Sequence, residues 1–256
     1  MRKRVDKKAQ VTIFIIIAIA IVVFGVLIYL LYPKIQSSFG FEEKNPYQII
    51  QDCLEDKITE SADILASQGG SIEPELYYLY NNTKIEYLCY TDQYYLTCVM
   101  QQPMLKVHIE DEIKNNIKED ADKCFSSLDE SYEKQGYKSE LKKGEMNVEL
   151  LPGIIEVSFD NSLSLTRETS EKYEKFRVAV NNNIYELVSI ANSILNWEAR
   201  YGDAETTIYM NYYHNLKVEK KKQSDGTTIY ILADRDTRDK FQFATRSVAW
   251  PPGYIG

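Results

Sequence analysis

The sequence is poor in the groups that most enzymes use for catalysis. It contains two histidines, His108 and His214, among 256 residues, which leaves imidazole few positions for acid–base chemistry. None of the patterns GxSxG, HExxH, GxGxxG or the Walker phosphate loop occurs in it. The sequence therefore predicts a protein that is not an enzyme and that carries no cofactor and no metal.

Cysteine is also scarce, and its spacing excludes the common zinc sites. No pair of cysteines has CxxC spacing, and neither histidine lies at zinc-ligand spacing from a cysteine. An even number of cysteines on the exported side of a membrane favours disulfides, for which three pairings are available. The four residues are Cys53, Cys89, Cys98 and Cys124.

Positive charge is in short supply beyond residue 32. From there to the end, 25 lysines and arginines stand against 37 aspartates and glutamates, a net charge near −12. Such a charge repels the phosphates of nucleic acids and anionic lipid headgroups. We therefore expect no nucleic-acid partner and no peripheral membrane-binding face.

Residues 11–31 are the one long apolar run, and they carry no charge. As a helix they would span about 30 Å, the thickness of the hydrocarbon core. The residues before the run are strongly basic, so the positive-inside rule places residues 1–10 in the cytoplasm and the rest of the chain outside. We predict a transmembrane helix over residues 11–32 in the cell membrane, with the lipid bilayer as its partner. The basic residues are Arg2, Lys3, Arg4, Lys7 and Lys8.

The remainder predicts an α+β ectodomain, because helical and strand patterns come in blocks. We assign residues 33–45 to a stalk, 46–135 to a disulfide-bonded helical and hairpin subdomain, and 136–256 to an α+β subdomain. Helical periodicity predicts helices ending at Gly69-Gly70, around residues 109–128, over 169–201 and near 204–213. Strands are expected at 76–80, 84–90, 94–100, 137–141, 146–151, 154–159, 163–166, 227–233 and 241–248.

The predicted elements favour one disulfide pairing. Cys124 lies on the apolar face of the second helix, and Cys53 lies beside the apolar stripe of the first, so these two are natural partners. A four-residue hairpin loop over 92–95 would place Cys89 opposite Cys98. We therefore favour Cys53–Cys124 and Cys89–Cys98.

Two acidic stretches are weak candidates for metal binding. Residues 234–239 have the acidic spacing of a calcium loop, but they lack its glycine and its final glutamate, so we interpret them as a solvated turn. The acidic residues of the second helix are interpreted as a solvent-facing charge run. These are Glu110, Asp111, Glu112, Glu119, Asp120 and Asp122.

Tyrosine is abundant, with 20 residues, and seven of them cluster between residues 77 and 95. Alternating tyrosines usually pack across strands, but tyrosine also dominates recognition surfaces. Both interpretations stay open, and the cluster is the best candidate for a binding surface. Its members are Tyr77, Tyr78, Tyr80, Tyr87, Tyr90, Tyr94 and Tyr95. Within it, Asn81-Asn82-Thr83 is a candidate glycosylation sequence with Asn81 as acceptor.

The stretch KKAQVTIF at residues 7–14 resembles the class III signal peptides of archaeal type IV pilin-like proteins. The resemblance implies cleavage between Ala9 and Gln10 and retention of the apolar helix as an assembly core. The family usually has glutamate at the fifth mature position, where this sequence has Phe14. An apolar residue there gives subunits no charged group to set their register, so we expect a simple anchored form.

Several motifs across the chain resemble a group of uncharacterised archaeal single-pass surface proteins. That resemblance implies an anchored ectodomain but no particular activity. The motifs are Cys53-Leu54, Gln68-Gly69-Gly70, Cys124 on an amphipathic helix, and Phe241-Gln242-Phe243-Ala244.

Taken together, the patterns predict a membrane-anchored extracellular surface protein that is structural or adhesive, with pilin-like assembly as one version. Its expected partners are other surface proteins, glycans or copies of itself. The alternative is a membrane-tethered extracellular enzyme or solute-binding module. A pocket lined by convergent carboxylates with a raised pKa would favour the alternative.

Overall fold

The computed structural model describes residues 21–22 and 45–251. The predicted cytoplasmic tail, transmembrane helix and stalk lie outside the described residues, except for Ile21 and Val22, which are helical, and Asn45. Among the residues described, no helix has the length and apolar character needed to cross a bilayer. From Pro46 onward the chain forms one compact unit with an α+β fold, the fold class predicted for the ectodomain.

Three long helices and one short one lie in this unit. They are α1 (Pro46–Gln68), α2 (Leu105–Lys134), α3 (Ile184–Tyr201) and α4 (Thr207–Tyr212). The long helices bury apolar residues at three- and four-residue spacing, which is the amphipathic pattern that packs a helix against a core. The positions of α1 and α2 agree with the sequence prediction.

The larger sheet has six strands. They are β1 (Tyr77–Tyr80), β2 (Thr83–Tyr90), β3 (Val99–Met100), β8 (Leu216–Lys222), β9 (Thr227–Asp234) and β10 (Lys240–Arg246). The order is β1-β2-β10-β9-β8, with β3 beside β2. β2 and β10 are parallel, so strands from both predicted subdomains pair in one sheet over a shared hydrophobic core. The boundary predicted at residue 135 therefore does not separate two cores.

The smaller sheet is antiparallel and is built around its longest strand. It contains β4 (Lys138–Lys142), β5 (Met146–Leu151), β6 (Ile154–Thr166) and β7 (Ser170–Asn181). β6 pairs with β7 along one side and with β5 and β4 along the other. Every second residue of β6 is buried, the two-residue period of a sheet with one face on the core.

The predicted helix over residues 169–201 is wrong in its first half, which is β7. The positions Tyr173, Phe176 and Val180 fit helical spacing, but Phe176, Val178 and Val180 also alternate along a strand and are buried. Pairing with the whole length of β6 decides between the two. Only α3 remains helical.

Side chains of α1 cover the outer edge of β7. The amide of Gln51 donates to the carbonyl of Ala179 at 3.0 Å and accepts from its N–H at 3.1 Å, as a neighbouring strand would. The hydroxyl of Tyr47 donates to the carbonyl of Glu174 at 3.0 Å. Because an open strand edge invites pairing with another chain, these contacts protect the sheet from association.

The four cysteines form Cys53–Cys124 and Cys89–Cys98, the pairing that the sequence favoured. The predicted hairpin register is wrong, however, because Cys89 lies opposite Met100 rather than Cys98. The backbone between the strands bonds elsewhere: the N–H of Tyr95 donates to Ala249, and Leu96 accepts from the N–H of Val248. The connecting segment is therefore longer than predicted and is held by the C-terminal segment.

Candidate ligand-binding cleft

A cavity of about 610 Å³ lies between the loop after α1, strand β2 and the first half of α2. We call it the polar cleft. Its walls carry mainly carboxylates, amides and one imidazole. The polar side chains that line it are Ser71, Glu73, Glu75, Glu86, Gln101, Gln102, His108, Glu112, Asn115 and Asn116.

The glycine pair that ends α1 brings Ser71 to the cleft. Gly69 and Gly70 have φ values of +88° and +104°, a region that disfavours residues with a side chain. A Cβ on Gly69 would lie 3.0 Å from the Cβ of Glu86 and 3.1 Å from its backbone nitrogen. The loop can therefore approach β2 closely only because no side chain separates them.

Three side chains form a hydrogen-bonded chain at the base of the cleft. The hydroxyl of Ser71 donates to Glu86 Oε2, and its oxygen lies 2.8 Å from Nε2 of His108. With Glu86 ionised, the Ser71 hydroxyl donates its one proton to the carboxylate. Nε2–H of His108 therefore donates to the Ser71 oxygen. A proton on Glu86 Oε2 would allow the opposite direction, in which the carboxyl donates to Ser71 and the Ser71 hydroxyl donates to Nε2 of His108.

Burial raises the pKa of the Glu86 carboxyl above its ordinary value, and the neighbouring Glu112 acts in the same direction. The hydrogen bond from Ser71 and the charge of His108 oppose that shift but do not cancel it. Glu86 is 8 % exposed and lines the cleft. It is therefore a buried carboxyl that holds its proton at a higher pH than a free glutamate does.

This shift predicts a pH dependence of folding stability. A carboxyl with a raised folded-state pKa stabilises the fold below its unfolded pKa and loses that contribution as the pH rises through the folded value. We expect Glu86→Gln to flatten the decline of the unfolding free energy above pH 4.5, the ordinary glutamate value. Denaturant unfolding between about pH 4 and pH 8 measures this.

Glu75→Gln is the matched control, because Glu75 is an exposed carboxyl lining the same cleft. It should retain the wild-type pH dependence. A Glu86→Gln profile parallel to that of the wild type across the range would contradict the assignment.

The chain does not have the order of a hydrolytic triad. In a triad the imidazole lies between the hydroxyl and the carboxylate, so that it can take the hydroxyl proton. Here the hydroxyl of Ser71 lies between the imidazole and the carboxyl. The arrangement suits polar binding and proton storage better than activation of a serine nucleophile.

Sequence reasoning missed this site. In the sequence, Ser71 lies 15 residues before Glu86 and 37 residues before His108, and none of the three lies in a catalytic motif. The one usable signal in the sequence is Gln68-Gly69-Gly70, because its glycines shape the cleft.

The tyrosine cluster divides into packed and exposed members. Four tyrosines pack around Ile85, Ile229 and Ala244 on the face of the larger sheet opposite the main core. They are Tyr78, Tyr80, Tyr87 and Tyr90. Tyr87 is fixed further by its hydroxyl, which lies 2.7 Å from Thr227 Oγ1. Packing therefore accounts for these four.

The other three tyrosines, Tyr77, Tyr94 and Tyr95, are exposed. Tyr77 lies under the ammonium of Lys84, and Tyr94 lies under the guanidinium of Arg246 at 5.4 Å. Tyr95 contacts Trp250 edge to face. These three remain available as parts of a recognition surface.

Asn81 is exposed in the turn between β1 and β2. Asn81 and Asn82 have φ values of +48° and +63°, the conformation of a two-residue turn with both central residues left-handed. The acceptor side chain is therefore presented on a tight hairpin.

The sequence predicted that the acidic run of α2 faces solvent, but two of its carboxylates make tertiary contacts instead. Glu110 accepts from the N–H of Leu150 at 2.7 Å, and Glu112 accepts from the N–H of Ile72 at 2.8 Å. Both side chains tie α2 to neighbouring segments and are partly buried. These contacts join segments that are distant in sequence, so helical periodicity within α2 does not reveal them.

The segment 234–239 is a structural turn. Oδ1 of Asp234 accepts from the N–H groups of Asp236 and Thr237, and Oδ2 accepts from the amides of Asn183 and Asn215. Burial alone would raise the pKa of Asp234, but these hydrogen bonds together hold it below its usual value. Across the residues that the structure describes, no group of three or more histidine, cysteine, aspartate or glutamate side chains is placed to hold a metal ion.

A second buried carboxyl, Glu198, belongs to the core rather than to the cleft. It accepts hydrogen bonds from the hydroxyl of Tyr230 and the N–H of Ala204, and burial raises its pKa. Its partners seal it from solvent, so it is structural.

Comparisons with protein-family models, with curated proteins and with solved structures find no match to this chain.

Proposed function

We propose that this protein is a membrane-anchored extracellular surface protein that works by binding a ligand in the polar cleft. The observation that carries the proposal is the convergence of Ser71, Glu86 and His108 in the polar cleft, a cavity of about 610 Å³. A large cavity with a few convergent polar groups and a perturbed pKa is the usual form of a small-molecule site.

Two observations support the extracellular location. Both disulfides form, and disulfides persist in oxidising compartments such as the cell exterior. The apolar run over residues 11–31 and the basic residues before it supply an anchor with its C-terminal side outside. The acidic ectodomain suits a soluble surface domain rather than one that lies on the lipid.

Protease treatment of intact cells tests the topology. We expect the ectodomain to be digested from outside while an epitope tag placed before Arg2 survives. Digestion of the tag with a protected ectodomain would reverse the orientation.

A cleft-filling substitution tests the ligand site. Asn116 is exposed on α2 and lines the cleft, so Asn116→Trp should block entry without disturbing the core. Lys123→Trp is the control, because Lys123 is exposed two turns further along the same helix and does not line the cleft. The readout is binding of the full chain in lipid nanodiscs to isolated cell envelopes of the producing organism.

We expect Asn116→Trp to lower envelope binding about tenfold, the effect of losing about 1.4 kcal/mol, and Lys123→Trp to leave it unchanged. Equal envelope binding by both variants would show that the polar cleft is not the ligand site.

A membrane-tethered enzyme is the second candidate, and the raised pKa of Glu86 is the observation that favours it. A buried carboxyl with a raised pKa can act as a general acid, and a second carboxylate, Glu112, lines the same cleft. Glu86→Gln distinguishes the two candidates. It should abolish turnover of any substrate that the cleft hydrolyses, whereas a binding protein would show no turnover before or after the change.

N-terminal sequencing of the native protein tests the pilin-like version. A mature chain that begins at Gln10 would show class III processing, and filaments could then be sought by electron microscopy. A chain that begins at Met1 or Arg2 would leave the simple anchored form that Phe14 favours.

A further inference from the structure

A second cavity, which we call the aromatic groove, lies at another place in the fold. Its volume is about 340 Å³, and it forms where the end of α3, the turn between β8 and β9, and residues 247–250 meet. Gly202 and Gly226 lie in its floor, and a side chain on either would run into the C-terminal segment. The three segments are therefore packed closely enough to define a groove of fixed shape.

Two aromatic rings line the groove, and each is supported by another ring outside it. Tyr201 is 56 % exposed and stacks at a tilt on Trp197, with ring centres 4.7 Å apart. Trp250 is 48 % exposed and meets Tyr95 edge to face at 5.0 Å. Aromatic neighbours restrict the rotation of both lining rings, so their exposed faces are presented with little entropy left to lose on binding.

The polar lining of the groove is nearly neutral. Among its described residues the two charged ones are Asp203 and Lys222, and their charged groups pair at 3.4 Å. Asp203 also pairs with Lys220. The other polar groups are the amide of Gln223 and hydroxyls, including that of Ser224. The guanidinium of Arg200 lies over the ring of Tyr201, 5.5 Å from its centre. The groove therefore offers hydrogen-bonding groups, and the two charged residues that line it pair with each other.

We propose that the aromatic groove is a binding site for a neutral oligosaccharide. A sugar ring has an apolar face of C–H groups, which packs on an aromatic ring, and a rim of hydroxyls, which exchange hydrogen bonds with amides and hydroxyls. Both kinds of surface are present in the groove, and the pairing of its two charged lining residues, Asp203 and Lys222, suits a ligand without charge.

The test uses the full chain in lipid nanodiscs on a printed array of neutral and acidic oligosaccharides. We expect the wild type to bind neutral glycans, and we expect Trp250→Ala and Tyr201→Ala each to lower the apparent affinity about tenfold. Tyr212→Ala is the matched control, because Tyr212 is 80 % exposed on α4 and does not line the groove. It should bind as the wild type does.

Several results would overturn the assignment. The absence of any neutral-glycan signal would do so, as would binding confined to acidic glycans or binding that survives both groove substitutions. Loss of the glycan signal in Asn116→Trp would assign the sugar-binding site to the polar cleft instead of the aromatic groove. Concentration-dependent self-association that Trp250→Ala abolishes, without glycan binding, would assign the groove to a second copy of the chain. Near-ultraviolet circular dichroism of each variant shows whether the fold is retained.

Discussion

Removing the Cys53–Cys124 bond by the double substitution Cys53→Ala and Cys124→Ala should lower the free energy of unfolding by about 4 kcal/mol. The bond joins α1 to α2 across 71 residues, so its loss frees a long segment of the unfolded chain. A loss of that size corresponds to a fall in Tm of roughly 8–16 °C for a domain of this length. Thermal unfolding followed by circular dichroism measures it.

The second disulfide supplies the comparison. Cys89 and Cys98 are separated by 9 residues, and closing so short a segment removes less entropy from the unfolded chain. The corresponding double alanine variant should lose only about 2.5 kcal/mol. Equal losses of unfolding free energy in the two variants would show that loop length does not set the contribution of each disulfide. The packing of the cysteine side chains would then account for the losses.

Gly202→Ala should lower the free energy of unfolding by about 2–4 kcal/mol. Gly202 ends α3 with φ +82°, a conformation that an alanine adopts only with strain. The added methyl group would also overlap Cγ2 of Val248 and lie 3.1 Å from its Cβ. The C-terminal segment would then have to move away from the helix end. Denaturant titration gives the change.

Gly136→Ala separates the two causes. Gly136 follows α2 with φ +87°, and a Cβ placed there meets nothing within 4 Å. This variant bears only the conformational cost of about 1–2 kcal/mol. Equal losses at the two glycines would show that the contact with Val248 relaxes freely.

Strong local signals were the ones that sequence reasoning interpreted correctly. The apolar stripes of α1 and α2 extend over many residues, and a period of that length is hard to imitate by chance. Because each stripe carries a cysteine near it, facing helices also indicated the Cys53–Cys124 pairing.

The error at β7 shows where a local signal is not enough. Apolar residues at 173, 176 and 180 satisfy a helical period, while those at 176, 178 and 180 satisfy a strand period. The second pattern prevails because β6 offers a partner along the whole strand, and α1 then covers the far edge through Gln51 and Tyr47. Strand pairing is a non-local interaction, and periodicity in one segment carries no information about its partner.

The polar cleft and the aromatic groove lie beyond sequence reasoning for the same reason. Ser71 meets Glu86 and His108 only after α1, β2 and α2 have packed, and Tyr201 and Trp250 line one groove only when the C-terminal segment packs against the end of α3. Composition and periodicity were sufficient for α1, α2, the fold class and the Cys53–Cys124 pairing, because each depends on residues close in sequence or on a strongly marked face. Which polar and aromatic side chains converge depends on contacts between distant segments, and only the packed fold brings those together.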